Sequence, residues 1–228
     1  MDSGSGLDSG LESGSTEDYE TDVELLKRAW RQEKAAPEVL QFESALIRRI
    51  IEQIQLMEET VEEFTESGID PLTVSLYQMD LDRTQFLLRS YYRIRLQKIE
   101  KYMFHIRDNA ESRLSDKEKL FVERCCADLQ THLEKSILLQ LPSTYQSVFR
   151  QSSEKETDMV PRHQMDTFVV CKTKYYLGHI QLEDDGESDS SASQRPLDEP
   201  FEMEPNVLYF VRYKAVKKFV EEGEIDLY

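Results

Sequence analysis

Apolar positions along the first two thirds of the chain recur at helical spacing. Between residues 38 and 66 they advance by threes and fours while glutamates fill much of the rest, which predicts an amphipathic helix. The same spacing runs from residue 72 to about 107 without glycine or proline, which predicts a helix of about 54 Å, long enough to bend or break. Gly68 fits the end of the first helix and Pro71 the start of the second, so we expect a helical hairpin.

Two capping boxes predict shorter helices on either side of this hairpin. The box at Thr21 begins a helix that should end near Pro37, because proline disfavours helical geometry in the residue before it. The box at Ser115 begins a fourth helix, which the apolar spacing carries to Pro142. Residues 21–142 are therefore predicted to form a helical domain of about four helices, antiparallel and bundle-like.

The pattern changes after a polar stretch at 143–165, which we interpret as a linker. Runs of β-branched and aromatic residues then predict strands, together with a short helix that Gly223 stops. The predicted segments are strands at 167–172, 175–182, 206–213 and 224–228 and a helix at 214–222. We therefore predict a mainly α fold in which the helical domain precedes a small β-rich C-terminal domain at 166–228.

Charge is distributed unevenly along the chain. There are 28 Lys and Arg against 45 Asp and Glu, a net charge of −17, and residues 1–22 and 183–204 together carry −15 of it. We interpret residues 1–20 as a disordered acidic tail and 183–204 as a disordered acidic loop. The rest of the chain is nearly neutral, which disfavours a free-standing binder of nucleic acid or of anionic membranes. No apolar run approaches the roughly 18 residues of a membrane span.

Motifs for catalysis or metal binding are missing from the sequence. It has no glycine-rich phosphate loop, no Cys or His pair at zinc spacing and no nucleophile-elbow motif, so we predict no catalytic residue, no metal site and no cofactor. Cys125 and Cys126 are neighbours that point about 100° apart on a helix, which favours core packing. Three cysteines in all fit reduced thiols better than a disulfide framework.

Three features have two interpretations each. The basic residues of the long helix bind phosphate or form ion pairs, with glutamates of the preceding helix or in another subunit, and the near-neutral total favours ion pairs. Trp30 belongs to the helical core or to an interface, and the core is favoured. The serines of the acidic segment are acid-directed kinase targets or part of a plain loop, with equal support. The basic residues are Arg89, Arg93, Arg95, Lys98 and Lys101, and the serines are Ser188, Ser190 and Ser191.

Several segments, taken together, resemble the GINS replication complex family and, within it, the Sld-five subunits. The resemblance rests on their order and spacing rather than on one diagnostic motif. The segments are 25–30, 36–40, 53–59, 78–83 and 91–101, and the similarity continues through 168–170, 208–214 and the terminal strand.

The resemblance implies a helical A domain, a β-rich B domain and assembly with three sister subunits into a heterotetramer without catalytic residues. It further implies that this assembly joins the MCM helicase ring and the Cdc-forty-five factor as the replicative helicase and contacts DNA polymerase epsilon. The implied location is the nucleus, at replication forks, with the cytoplasm as a second location. Small-molecule ligands and membranes are not expected as partners, and direct DNA contact is expected to be weak or absent.

By the same resemblance, the long helices make the main contacts between subunits and the terminal domain docks onto a sister. The segment 22–26, through Leu25 and Leu26, is a candidate docking peptide for a replisome adaptor. The expected packing or interface residues are Trp30, Met79, Arg83, Tyr91, Arg95 and Ile99 in the helices and Tyr209, Val211, Tyr213, Ile225 and Leu227 in the terminal domain.

An unrelated helical adaptor is the competing hypothesis. Such a protein would bind a basic partner, for example a histone, through its acidic tail and loop. A GINS subunit is expected to form a tight heterotetramer and to be poorly soluble alone, whereas the adaptor would be a stable monomer or homodimer with salt-dependent binding.

Overall fold

The computed structural model describes residues 20–149, 159–180 and 201–228. The helices are α1 (Asp22–Ala35), α2 (Ser44–Glu66), α3 (Pro71–Asn109), α4 (Asp116–Ser136) and α5 (Tyr213–Glu221). The strands are β1 (Phe168–Thr173), β2 (His179–Ile180), β3 (Phe201–Glu202), β4 (Leu208–Arg212) and β5 (Ile225–Leu227). Four helices precede a small antiparallel sheet, which confirms the predicted mainly α fold.

Both predicted capping boxes are formed. The Thr21 hydroxyl accepts a hydrogen bond from the Glu24 amide at 3.3 Å, and the Glu24 carboxylate accepts one from the Thr21 amide at 3.2 Å. Ser115 and Glu118 make the same reciprocal pair at 3.4 and 2.8 Å. These bonds satisfy amides that the first turn of a helix leaves without partners, so local sequence fixes where α1 and α4 begin.

The helical hairpin forms as predicted, and its long arm is interrupted. Gly68 has φ +73°, the left-handed conformation typical of a residue just after a helix, and Pro71 is the first residue of α3. Within α3, Tyr102 departs from helical geometry with φ −120° and ψ 25°, so the predicted bend or break lies there. No helix of the described residues is both long and apolar enough to cross a membrane.

Two predicted helix ends are wrong. α2 begins at Ser44 instead of residue 38, because the backbone carbonyls of Glu38 and Leu40 accept hydrogen bonds from side chains of α3 and leave this segment as a loop. α4 ends at Ser136, and the chain continues to Pro142 through a short 3-10 turn.

Two features of the predicted β part also need correction. The strand expected over 175–182 is not formed at 175–178, where Gly178 turns the chain with φ +68°, and β2 begins at His179. The segment 183–204, expected to be disordered throughout, ends in an ordered region, since β3 lies there and Met203 is buried. Residues 1–19, 150–158 and 181–200 lie outside the described residues, and so do Ser188, Ser190 and Ser191.

The helical part holds two apolar clusters. One joins α1, α2 and α3 around Leu26, Ile50, Leu81 and Tyr91. The other joins α3 and α4 and is centred on Ile99, Ile106 and Val122, with Val39 of the α1–α2 loop. Each buried aliphatic side chain contributes about 1.5–3 kcal/mol to folding, so these clusters hold the four helices together.

β1 is the central strand of the sheet, with β4 and β5 as antiparallel neighbours in the order β4-β1-β5. β2 and β3 form a separate two-stranded ladder. α5 covers one face of the larger sheet and buries the third apolar cluster, which includes Val216 and Ile225. Ala36, at the end of α1, belongs to the same cluster, so the helical part contributes to the core of the β part.

Candidate interaction surfaces and the buried ion-pair cluster

Arg95 is the centre of a buried ion-pair cluster in the helical part. Its Nε and Nη2 donate to the two carboxylate oxygens of Glu118 at 2.7 and 3.1 Å, and its Nη1 donates to Glu33 at 3.0 Å. The backbone carbonyls of Leu40 and Arg113 accept its remaining hydrogen bonds at 2.8 and 3.1 Å. Burial disfavours the charged form, yet the carboxylates of Glu118 and Glu33 raise the pKa of Arg95 above its ordinary value.

Lys98 lies one helical turn further along α3 and extends the cluster to the α1–α2 loop. Its Nζ donates to the Glu33 carboxylate at 2.9 Å and to the Glu38 carbonyl at 2.8 Å, and it also bonds the Glu33 carbonyl. Burial lowers the pKa of Lys98, and the charge of Glu33 opposes that effect. Together Arg95 and Lys98 connect α3 to α1, to α4 and to the loop between α1 and α2.

The sequence favoured ion pairs for the basic residues of α3, and Arg95 and Lys98 form them with other partners than the expected glutamates of α2. The glutamates of α2 lie on an exposed face of that helix, whereas Arg95 is buried and Lys98 nearly so, and their partners are Glu33 of α1 and Glu118 of α4. Arg89 donates to Gln85 on its own helix at 2.9 Å, and Lys101 lies over the Tyr102 ring. Only the tertiary packing selects Glu118 and Glu33, which lie 23 and 62 residues from Arg95 in the sequence.

The long helix α3 carries apolar side chains on two opposite faces. At about 100° per residue, the buried residues Leu81, Leu88 and Ile99 lie on one side. The other side is exposed, and we call it the outer face of α3; Leu72 is 67% and Phe86 63% exposed there. Its members are Leu72, Leu76, Met79, Arg83 and Phe86. An amphipathic helix of a self-contained domain normally has one apolar face, so the second face needs a partner.

A groove lies beside the outer face, where α2 turns into α3. Its volume is about 710 Å³, and its walls come from the last turns of α2 and the first turns of α3. Val61, Ile69, Val74 and Met79 supply its apolar lining. The groove and the outer face form one continuous surface because Met79 belongs to both.

A second exposed apolar surface lies on the sheet. β1 and β4 turn alternate residues away from α5, and the Phe168 and Phe210 rings stack there with centroids 5.1 Å apart. Val170 and Leu208 complete this surface, which we call the aromatic sheet face. Phe168 is 51% and Phe210 68% exposed, and the Arg212 guanidinium lies 5.8 Å from the Phe168 ring.

The predicted interface residues divide between the core and the surface. Met79 and Arg83 are exposed on the outer face of α3. Trp30 is half-buried, and its indole donates to the Ser90 hydroxyl at 2.9 Å. The residues buried in the chain itself are Tyr91, Arg95, Ile99, Val211, Tyr213, Ile225 and Leu227, and Tyr209 is half-buried. Their packing role is therefore internal.

Apart from Met79 and Arg83, the residues that form the two exposed surfaces were not singled out as interface residues from the sequence. Phe86 and Leu72 have the spacing of an apolar stripe, but so do the buried residues of α3, and spacing alone does not tell which stripe faces the core. Phe168 and Phe210 were included in the predicted strands without an assigned role. The candidate adaptor segment has Leu26 fully buried and Leu25 half-buried in α1.

Candidate metal ligands do not cluster in the described part of the chain. There, no three His, Cys, Asp or Glu side chains lie close enough together to hold a metal ion. Cys126 and Cys171 are buried, and burial raises the pKa of both thiols, to about 11 for Cys171. The exposed features of the described residues are apolar contact surfaces, namely the outer face of α3 and the aromatic sheet face.

A helical bundle joined to a small sheet, with exposed apolar faces on both, is typical of a protein that binds other proteins. Two family comparisons specify which complex. Residues 45–137 match the family described as GINS complex protein helical bundle domain. Residues 163–227 match the family described as DNA replication complex GINS protein SLD5 C-terminus.

Related proteins agree over almost the whole chain. The chain is 56% identical to DNA replication complex GINS protein SLD5 of Arabidopsis thaliana, over 96% of this chain and 99% of that protein. It is 30% identical to the Homo sapiens protein of the same name, over 90% of this chain and 88% of the human one. The Dictyostelium discoideum protein is 24% identical over 90% of both chains. This chain belongs to the SLD5 family of GINS complex subunits.

Proposed function

We propose that the chain is a non-catalytic structural subunit that joins three sister subunits in a heterotetramer. In this proposal the tetramer works with the MCM helicase ring and the Cdc-forty-five factor as the replicative helicase, contacts DNA polymerase epsilon, and serves both initiation and elongation of DNA replication. The nucleus is the proposed site of action, with the cytoplasm as a second location. Family membership supports a role in DNA replication, and the outer face of α3 supports the assembly.

The outer face of α3 carries the argument for assembly. Phe86, Met79 and Arg83 are of residue types that are enriched where proteins bind each other. The face continues into the groove at the α2–α3 turn, so one partner can contact both. Because the opposite side of α3 already fills the core, this face remains available to a sister subunit.

The aromatic sheet face is the proposed contact for a second sister. Phe168 and Phe210 already stack on each other, so a partner meets a surface whose side chains lose little further freedom on binding. The face belongs to the C-terminal part and the outer face to the helical part. Two such surfaces suit a subunit that bridges two neighbours.

Direct contact with DNA is proposed to be weak or absent. Two of the five basic residues singled out on α3, Arg95 and Lys98, are engaged by Glu33 and Glu118 inside the protein, whereas Arg89, Arg93 and Lys101 are exposed. A phosphate-binding surface requires cations that are exposed and in excess, and the whole chain has a net charge of −17.

Docking of a replisome adaptor on residues 22–26 also remains a proposal. Leu26 is 0% exposed, so a partner would meet Leu25 and the polar residues of the first turn of α1 unless that turn unwinds. Replacing Leu25 with serine tests this directly. Adaptor capture should fall, while Leu26 stays buried and the fold is maintained. Undiminished capture would exclude Leu25 as an anchor.

Native mass spectrometry tests the structural role as a whole. The chain is co-expressed with three candidate sister subunits and compared with the chain expressed alone. A 1:1:1:1 complex that survives moderate salt is expected, because apolar contacts are less sensitive to salt than exposed ion pairs. A chain that remains monomeric beside the sisters would refute the proposal.

A further inference from the structure

The helical part and the C-terminal part meet at a carboxylate that both enclose. Glu38 lies in the α1–α2 loop and is 7% exposed. From the C-terminal part, the Tyr213 hydroxyl donates to its Oε1 at 2.9 Å and the Lys217 Nζ to its Oε2 at 3.0 Å. From the helical part, Arg113 lies 2.9 Å from Oε2. One carboxylate therefore bonds to donors from both sides.

The loop that presents Glu38 is itself held by side chains of the helical part. Arg95 bonds the Leu40 carbonyl at 2.8 Å and Lys98 bonds the Glu38 carbonyl at 2.8 Å. Arg113 bonds the Val39 carbonyl at 3.3 Å. Three cations of the helical part thus hold the backbone of a loop that has no regular secondary structure, so the position of Glu38 is fixed from the helical side.

The rest of the contact between the two parts has an apolar and a polar share. Ala36 is buried in the C-terminal cluster, with Ala35 and Leu40 packed against it. Asp226 of β5 accepts from Gln32 at 2.9 Å and lies 3.9 Å from Arg28, both on α1. Arg113 also pairs with Glu221 at the end of α5.

Glu38 keeps its charge at the centre of this contact. Burial by itself disfavours the carboxylate, but the hydrogen bond from Lys217 and the charge of Arg113 lower the pKa of Glu38 below its ordinary value. Hydrogen bonds to a charged group are the strong ones, and Glu38 is more deeply buried than Asp226, whose contacts are partly open to water and salt.

We infer that Glu38 is an electrostatic latch that holds the C-terminal part against the helical part, so that removing its charge releases α5 without unfolding the helices. This inference goes beyond the proposed role in the tetramer, since it concerns how the two parts of one chain are fixed to each other. It assigns to the loop cations Arg95, Lys98 and Arg113 the role of positioning residues for the latch.

Hydrogen exchange of the full chain, followed by mass spectrometry in whichever assembly it forms, tests the latch. In Glu38→Gln, residues 36–43 and 213–227 should exchange about ten- to a hundredfold faster, the range expected from losing hydrogen bonds to a charged partner. Residues 44–66 of α2 should keep their rate, because none of the bonds of Glu38 reaches that helix. Unchanged exchange at α5, or equal acceleration everywhere, would overturn the inference.

Two further variants keep the test independent of one substitution. Lys217→Met removes a donor from the C-terminal side and should accelerate the same peptides; it decides the question alone if Glu38→Gln does not fold. Glu59→Gln, on the exposed face of α2, makes the same charge change and should alter none of these rates. Assembly with sister subunits is read separately by native mass spectrometry, so a failed latch and a failed tetramer are distinguishable.

Discussion

Arg95 of α3 and Glu118 of α4 form a two-bond ion pair inside the helical part, with donor–acceptor distances of 2.7 and 3.1 Å. Glu118 also accepts from the backbone amide of Ser115 at 2.8 Å, so the capping box of α4 and the buried ion pair share one carboxylate. A local signal that begins a helix and a long-range contact that fixes its position therefore meet at a single side chain.

Replacing Arg95 with methionine should destabilise the protein severely. The change leaves the carboxylates of Glu33 and Glu118 buried without their main partner, which costs about 3–5 kcal/mol when one side of a buried pair is removed. Urea denaturation followed by circular dichroism measures the loss. Arg48→Met, at an exposed position of α2, is the matched control and should change stability by about 0.5 kcal/mol or less. Equal stability of the two variants would contradict the role assigned to the cluster.

Phe86→Asp should weaken assembly without unfolding the chain. Phe86 is exposed on the outer face of α3, so the substitution removes an apolar anchor and introduces a charge that a sister subunit would have to desolvate. Co-expression and native mass spectrometry should show loss of the four-subunit complex. Leu120→Asp makes a similar change at an exposed position of α4 and should assemble normally. If both variants keep the four-subunit complex, the outer face of α3 is not an interface.

Replacing each of two neighbouring residues of β4 with serine should have different effects on stability and on binding. Val211 points into the core beneath the sheet, so Val211→Ser should cost about 2–4 kcal/mol of stability. Phe210 points outward, so Phe210→Ser should cost about 1 kcal/mol, the value of its ring stacking on Phe168. Thermal denaturation gives the first comparison. Binding to sister subunits should be weakened by Phe210→Ser, and unaffected binding would exclude the aromatic sheet face.

Acidification should destabilise the chain through His163. Its ring packs 4.2 Å from the Tyr102 ring at the break in α3, and its Nε2 is buried without a hydrogen-bond partner among the described residues. Burial, with a smaller contribution from His105, lowers the pKa of His163 from 6.5 to about 4. Because the unfolded chain binds this proton more readily, stability is lost as the pH falls from about 6.5 towards 4. Glu38, whose pKa is lowered from 4.5, adds its own loss only below that value.

Urea denaturation at several pH values checks this behaviour. His163→Gln should remove part of the loss between about pH 6.5 and 5, an interval in which Glu38 stays charged in both states. His132→Gln, at an exposed position of α4, is the control and should follow the unmodified chain. An unchanged pH profile in His163→Gln would mean that other groups account for the dependence.

Local sequence determined most of the secondary structure of this protein. Thr21 and Ser115 fix helix starts through bonds to residues three positions away, and Gly68 and Pro71 fix the turn of the hairpin through their own backbone preferences. The order of helices before strands follows from the change of apolar period along the chain. These signals need no distant contact, which is why the fold class was predictable. The resemblance to the GINS family was also readable from the sequence, because it rests on the order and spacing of segments along the chain.

Tertiary structure decided the rest, because those properties depend on groups far apart in the chain. Both stripes of α3 are apolar, and only the packing of α1, α2 and α4 against one of them leaves Phe86 outside and Ile99 inside. The partners of Arg95 lie 62 and 23 residues away in sequence, and the folded geometry selects Glu33 and Glu118 over the glutamates of α2. Glu38 meets Tyr213 across 175 residues. The spacing of apolar residues along the chain predicts a helix and its faces. Tertiary packing determines which face is buried and which distant residues become partners.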